Sequence, residues 1–272
     1  MVQKVEKQIW RFIDSGAADG SFNMATDEVM ATLAPLSQPV LRVYRWHPFT
    51  ISIGYNQNFD DLDTTKCEQK GIGLVRRPTG GRAILHAHEV TYCVIIPRGH
   101  SLFGENPPEL YNQISSAIVK GLKYMLPEVI LERKEVSQSS PRYNQQVACF
   151  ATSAKYEIHY ESKKVVGSAQ RRFRNGLLQH GSIILGDEHL QILEYLSRRN
   201  GNLQRSRNLL QANTVSMERI LKRRIEYQEI VKCIKAGFEN HFGILFEERS
   251  LSQNELRVIE ELKLKYLLEE EL

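Results

Sequence analysis

The chain has 272 residues, 42% of them hydrophobic, and its 36 Lys+Arg against 32 Asp+Glu leave a formal net charge of +4. That length accommodates one large domain, or a domain with an appendage, and supplies ample material for a buried core. So mild a charge gives no argument for non-specific nucleic-acid binding over the whole surface. Cys67, Cys93, Cys149 and Cys233 stand far apart and form no C-x-x-C, so neither a disulfide framework nor a zinc site is indicated. The opening MVQKVEKQIWRFID lacks an apolar signal region, and no run approaches the ~20 apolar residues of a bilayer span. A cytoplasmic protein with reduced thiols is the expectation.

In chain order, residues 8–14 alternate as a short strand. Gly20-Ser21-Phe22-Asn23 then offers turn and cap chemistry to a helix with Met24, Val29, Met30 and Leu33 apolar, ended by Pro35. Residues 40–46 are β-branched and aromatic enough to predict a strand stopped at His47-Pro48, with residues 50–53 as its expected partner. After a polar loop at 54–58, residues 61–70 predict a helix, and residues 72–75 lead by a strand into Arg76-Arg77-Pro78-Thr79-Gly80-Gly81-Arg82. Residues 83–86 and 90–96 read as strands, and Leu110, Ile114, Ile118, Leu122 and Met125 recur at helical spacing.

A Ser-rich loop at 137–146 precedes a predicted meander: residues 156–160, a turn at Glu161-Ser162, and a returning strand over 164–170. Asn175-Gly176 is a strong two-residue hairpin signal and delivers residues 177–185 as a further strand. From about 187 the pattern turns helical, and Ser252 with Glu255 three residues on forms a capping box that opens the last helix. These elements predict an α+β domain over residues 1–210, built on a mixed, largely antiparallel sheet flanked by helices. A helical C-terminal extension over 211–272 is expected to pack on it.

Two stretches carry candidate chemistry. In Arg76–Arg82 the paired glycines let a ligand approach the backbone and the arginines offer planar donor forks, although a surface hairpin with solvated arginines has the same composition. Neither G-x-x-x-x-G-K-[ST] nor G-x-G-x-x-G is present, so no motif supports ATP binding. In residues 147–185, Cys149 is a candidate nucleophile and Lys164 lies fifteen residues on. A lone cysteine among strands is ordinarily a small buried hydrophobe, and Lys163-Lys164 has the composition of an ordinary polar turn. Spacing leaves both readings open.

Pairing of Cys149 with His86 or His180 is chemically allowed but has no local signature. His86 and His88 lack a third partner of metal-ligand spacing, so no metal is expected. The basic stretch at 198–224, with Arg198, Arg199, Arg205, Arg207, Arg219, Lys222, Arg223 and Arg224, reads first as solvated helix faces and second as a surface for an acidic partner. It lacks the interleaved aromatics of a nucleic-acid groove. Cys67, Cys93 and Cys233 are assigned to structure.

Residues Arg76 to His86, RRPTGGRAILH, taken with Lys164 to Gln170, KVVGSAQ, and with His180-Gly181-Ser182, resemble the lipoate-protein ligase A and biotin-protein ligase superfamily. The resemblance runs from Asn23-Met24-Ala25-Thr26-Asp27-Glu28 through Leu185, and is greatest to octanoyltransferases of the LipM type. Ala148-Cys149-Phe150 matches their acyl-accepting cysteine. Arg82 stands where a ligase has the third glycine of its T-G-G-G turn, and the C-terminal helices are too short for a ligase accessory domain.

The resemblance implies a biotin/lipoate ligase-like fold and transfer of octanoyl from acyl carrier protein to Cys149, then to a lysine of a lipoyl domain. The acceptors implied are glycine cleavage H protein or 2-oxoacid dehydrogenase E2 subunits. Lys164 is the implied polar partner of Cys149. Arg77, Thr79, Gly80, Gly81, Arg82, His86, Gly167, Ser168, Ala169, His180 and Gly181 are the implied substrate-binding residues. No ATP, metal or other cofactor is expected, and no nucleic-acid or membrane partner. The rival readings are an octanoyl amidotransferase working between lipoyl-domain proteins, an ATP-dependent lipoate ligase, and a non-catalytic acyl- or lipoyl-binding module.

Overall fold

A computed structural model describes residues 7–32, 37–104, 106–133, 156–197 and 203–268. Its centre is an eight-stranded mixed sheet in the order β11-β1-β2-β6-β10-β9-β8-β7. The strands are β1 (Ile9–Ala18), β2 (Val40–Trp46), β6 (Glu89–Pro97), β7 (Ile130–Arg133), β8 (Tyr156–Tyr160), β9 (Lys163–Arg172), β10 (Gly176–Ile184) and β11 (Leu245–Glu248). β1 runs parallel to β2 and β11, and every other pairing in this sheet is antiparallel. A small second sheet, β4-β3-β5, is made of β3 (Thr50–Ile53), β4 (Gly73–Arg76) and β5 (Ile84–His86).

Strand β6 is buried along its whole length, as expected of a central strand covered on both faces. Its side chains divide by parity. Val90, Tyr92, Val94 and Ile96 join Trp10, Phe12, Leu41 and Val43 under helices α3 (Pro107–Leu122) and α6 (Tyr227–Phe242). Cys93 and Ile95 join Ile13, Tyr44, Trp46 and Leu178 on the opposite face, under α1 (Gly20–Thr32) and α7 (Gln253–Leu268). A third cluster packs the small sheet against α2 (Thr64–Gln69), the 3₁₀ segment Asp187–Tyr195 and Leu210 of α4 (Leu203–Asn213). The one α-helix of the described residues not yet named is the short α5 (Met217–Leu221), between α4 and α6. Full burial of each Ile, Leu or Phe contributes about 1.5–3 kcal/mol before the entropy of ordering it.

Several local expectations need correction. β3 does not pair with β2: both edges of β2 are taken, by β1 and by β6, so β3 joins the small sheet instead. Gly20 to Asn23 form the first turn of α1, and the cap is Asp19, whose Oδ1 accepts from the Phe22 amide at 2.7 Å. The helix expected over 61–70 is confined to α2, capped by Asp63. Asn175-Gly176 does not itself make the turn: Gly176 already belongs to β10, the connection is residues 173–175 with the Phe173 amide donating to Gly176 O at 2.8 Å, and neither Asn175 nor Gly176 has a positive φ. The segment with Leu190 and Leu193 is 3₁₀ helix, and the edge strand β11 was not expected. The capping box is present, with the Ser252 amide donating to Glu255 at 2.7 Å and the Glu255 amide donating to Ser252 at 3.3 Å. Residues 211–272 supply both β11 to the main sheet and α6 to the core beneath α3. Pro35 and the Ser-rich loop lie outside the described residues.

Candidate active site

Between the small sheet and the α1 face of the main sheet lies a cleft of ≈ 440 Å³, counting its mouth. Met24, Tyr44, Trp46 and Ile84 form its apolar wall; Ser52, Arg77, Gly81, His86, Thr91, Gly167–Ala169 and His180–Ser182 complete the lining. Eight of the residues singled out in the sequence therefore meet in one place: Arg77, Gly81, His86, Gly167, Ser168, Ala169, His180 and Gly181. The floor is flat because β10 and β9 place small residues opposite one another, Gly181 against Ser168 and Ser182 against Gly167. A Cβ on Gly181 would stand 2.4 Å from the Gly167 carbonyl oxygen, so only glycine fits.

The glycine-rich loop is held by its own arginine. Buried Arg77 donates to the Ser52 carbonyl and hydroxyl at 3.0 Å each, to Gly80 O at 3.0 and 3.2 Å, and to Arg82 O at 2.7 Å. Those bonds order the turn as well as placing the guanidinium on the cleft wall. Gly80 and Gly81 stay exposed at the tip, and Gly81 has φ +97°, a conformation costly for any side chain. Arg82 is half-buried and does not line the cleft, and Thr79 sits behind it.

Behind the lining are two buried polar networks. Asp27 of α1 accepts from Arg42 at 2.7 Å, Tyr44 at 2.9 Å and His180 Nδ1 at 3.0 Å, and the Thr79 hydroxyl meets His180 Nε2 at 2.6 Å. A neutral His180 that donates from Nδ1 and accepts from Thr79 satisfies every member. Burial pulls the His180 imidazole below its ordinary value, against the raising effect of Asp27. Burial alone would raise the Asp27 carboxyl, but the His180 hydrogen bond and the Arg42 charge outweigh it and hold Asp27 below the usual carboxylate value. In the second network Glu89 Oε1 accepts from His86 Nδ1 at 2.8 Å, Ser182 at 2.7 Å and Thr91 at 2.5 Å, while His86 Nε2 meets Ser52 at 2.7 Å. Trp46 stacks on His86 with ring centroids 4.0 Å apart. Both imidazoles thus use both nitrogens, and among the described residues no group of three or more His, Cys, Asp and Glu is arranged to hold a metal.

Lys164 is buried at the start of β9 and forms an ion pair with buried Glu157 of β8. Its direction depends on a β-bulge. Val166 pairs with Ile158 and Lys164 with His159, so two steps along β9 match one along β8 and Val165 is the extra residue. In a regular strand residues 164 and 167 would face opposite ways; the bulge turns Lys164 to the cleft face, roughly 10 Å along the strand from Gly167. The Val215 amide donates to Lys164 O at 3.1 Å, fastening the bulge from the end of α4. Cys149 lies outside the described residues. Of the other thiols, Cys67 is pushed up to about 11, and Cys93 and Cys233 are raised, burial being the first cause in each, which makes all three poor nucleophiles.

The residues that sequence reasoning missed, Asp27, Tyr44, Trp46, Ser52, Glu89, Thr91 and Glu157, sit on strands and helices whose patterns announce only core. Tyr92, whose phenol burial pushes up to about 12, donates or accepts at Ser168 Oγ over 2.7 Å and was likewise hidden in an apolar run. Strand pairing is the signal that points to Thr91, whose Cα neighbours Ser182 and Tyr44 both line the cleft.

The pattern of the Lipoyl protein ligase A/B catalytic domain matches residues 19–239. Octanoyltransferase LipM of Bacillus subtilis (strain 168) is 35% identical over 272 residues, covering 95% of both chains. That of Clostridioides difficile (strain 630) is 35% identical over 265 residues, covering 96% of this chain and 97% of the relative. Among solved structures, a bi-partite lipoate protein ligase from Thermoplasma acidophilum superposes with a TM-score of 0.76 at 18% identity, over 95% of this chain and 93% of that one. Lipoate-protein ligase A bound with ATP gives 0.73 at 18% identity, over 95% of each. At such identities the structures bear on the fold, and a fold shared with an ATP-binding ligase does not separate ligase from transferase.

Proposed function

We propose that this chain, which belongs to the lipoyl protein ligase A/B catalytic-domain family and within it to the LipM octanoyltransferases, transfers an octanoyl group to a lysine of a lipoyl domain. The observation that carries this reading is the 35% identity to Octanoyltransferase LipM over nearly the whole chain. The donor is octanoyl-acyl carrier protein and Cys149 is the acyl carrier. In the first step the Cys149 thiolate attacks the donor thioester carbonyl, the carbonyl–sulfur bond to pantetheine breaks, and the pantetheine thiolate leaves with a proton. In the second, the acceptor amine forms a C–N bond, the acyl–Cys149 bond breaks, and the amine's proton ends on the Cys149 sulfur. A thioester is already activated, so the exchange uses no nucleotide, and the amide product makes the second step downhill.

The cleft suits the acyl chain: its wall of Met24, Tyr44, Trp46 and Ile84 is apolar, and Ser52, Arg77 and His86 supply polar lining. Lys164 faces the same side of the sheet and offers an ammonium to the thiolate and to the carbonyl oxygen as charge develops. Glycine cleavage H protein and E2 lipoyl domains are the acceptors, and the reduced cytoplasm is the setting that keeps Cys149 a thiol.

The test is to incubate the purified chain with octanoyl-acyl carrier protein and look for an acyl-enzyme by intact-mass spectrometry. Cys149→Ser abolishes the adduct, and Lys164→Ala slows transfer to a lipoyl domain by about 10²-fold or more while the far-UV circular-dichroism spectrum stays that of a folded chain. Full transfer by both variants overturns the reading. Charging by octanoylated H protein alone identifies an amidotransferase, and lipoate-dependent pyrophosphate release a ligase.

A further inference from the structure

On the acyl-transfer reading given above, we infer that Glu157 is a positioning residue: it holds Lys164 as an ammonium aimed along the cleft face, and is itself held by His159 and Glu132.

The arrangement spans three adjacent strands. Glu157 of β8 pairs in register with Glu132 of β7, and His159 with Lys164 of β9. Ile158, between Glu157 and His159, points into the core under α3, so the two polar side chains point to the other face, which carries the cleft. One Glu157 carboxylate oxygen pairs with Lys164 and the other meets His159 Nε2 at 3.2 Å, while His159 Nδ1 meets Glu132 Oε2 at 2.5 Å. Glu157, His159 and Lys164 are all buried, with Glu132 at the edge.

Buried ionic groups at sites of no consequence are readily replaced by apolar residues at no loss of stability. A line of carboxylate, imidazole, carboxylate and ammonium, ending on a buried lysine of the face that carries the cleft, instead fixes what that lysine does. The Glu157 carboxylate accepts from the Lys164 amine and so fixes the direction in which its remaining N–H groups point. Lys164 therefore acts as a hydrogen-bond donor and fixed positive charge through both half-reactions and takes no proton. The acceptor amine sheds its extra proton to solvent before attack, and the proton it loses on forming the amide passes to the departing Cys149 thiolate. The bulge at Val165 and the Val215 bond to the Lys164 carbonyl fix the backbone from which the ammonium is aimed.

The experiment compares the full chain with Glu157→Gln and Glu157→Asp, measuring steady-state octanoyl transfer from octanoyl-acyl carrier protein to a lipoyl domain. The Gln side chain keeps shape and hydrogen bonding but removes the charge. Its expected result is a fall in kcat of about tenfold or more, with KM for both proteins unchanged to about twofold. Glu157→Asp, which restores the charge, lies between Gln and the unaltered chain. A Gln variant with unchanged or higher kcat overturns the inference, because a lysine acting as neutral base gains from losing the carboxylate. If Glu157→Gln does not fold, Glu157→Asp decides alone: lower kcat at unchanged KM supports the assignment and unaltered kcat overturns it. Failure of the unaltered chain to form any acyl-enzyme refutes the functional reading itself and is seen separately, by mass spectrometry.

Discussion

Asp27 has no solvent exposure and stands between Arg42, Tyr44 and His180, so a single carboxylate joins α1, β2 and β10 at the back of the cleft. Replacing it by Asn leaves Arg42 as a buried charge without its counter-ion. Asp27→Asn is therefore expected to lower the unfolding free energy by about 3–5 kcal/mol in urea titration; a loss below about 1 kcal/mol would show that Arg42 finds other compensation. Most of the cleft's rim was legible in the sequence, because glycines, arginines and histidines in RRPTGGRAILH and HGS are unusual on strands. Asp27 and Glu89 were not, because a carboxylate inside an apolar pattern looks like a surface residue until its donors are brought to it from distant segments.

Helices α3 and α6 meet at two glycines. A Cβ on Gly237 would stand 2.3 Å from the Ala117 carbonyl oxygen, and one on Gly121 would stand 2.4 Å from that of Cys233. Backbone atoms cannot yield as a flexible side chain can, so Gly237→Ala must push the helices apart. The expected cost is about 1–3 kcal/mol in thermal or urea unfolding, with a full loss of cooperativity unlooked for; an unchanged midpoint would contradict the tight crossing. The helix itself was evident from Tyr227, Ile230, Val231, Ile234 and Phe238 at helical spacing, but the use of Gly237 as a crossing point was not. In the same way residues 50–53 were plainly a strand while their sheet was not, since the occupation of both edges of β2 by β1 and β6 is a property of the assembled sheet rather than of the strand.

At the scale of the molecule, His100, His180, His189 and His241 all titrate below the ordinary 6.5, with burial the largest cause in each. The unfolded chain binds protons at these residues from about pH 6.5 downward while the folded chain keeps them neutral. Their contribution to stability is thus complete above that pH and declines as the pH falls toward the folded-state values. Asp27 and Glu255, both held below their ordinary values, extend the loss at lower pH. The urea midpoint is expected to be lower at pH 5.5 than at pH 7.5 in matched salt; an equal or higher midpoint at pH 5.5 would refute this linkage. Among the described residues no helix is long and apolar enough to cross a membrane.

The sequence by itself determined the alternation of elements, the α+β class and the resemblance that pointed to acyl transfer, because propensity, turn chemistry and motif order are local properties. It also named Lys164 without being able to say where that side chain points. Tertiary structure decided this through one extra residue: Val165 has no partner across β8, and that mismatch of register turns Lys164 from the face opposite Gly167 to the face that carries the cleft. Side-chain direction in a strand has a period of two, so a single unpaired residue reverses it. Nothing in Lys163-Lys164-Val165-Val166 read alone could show which residue the neighbouring strand would leave out.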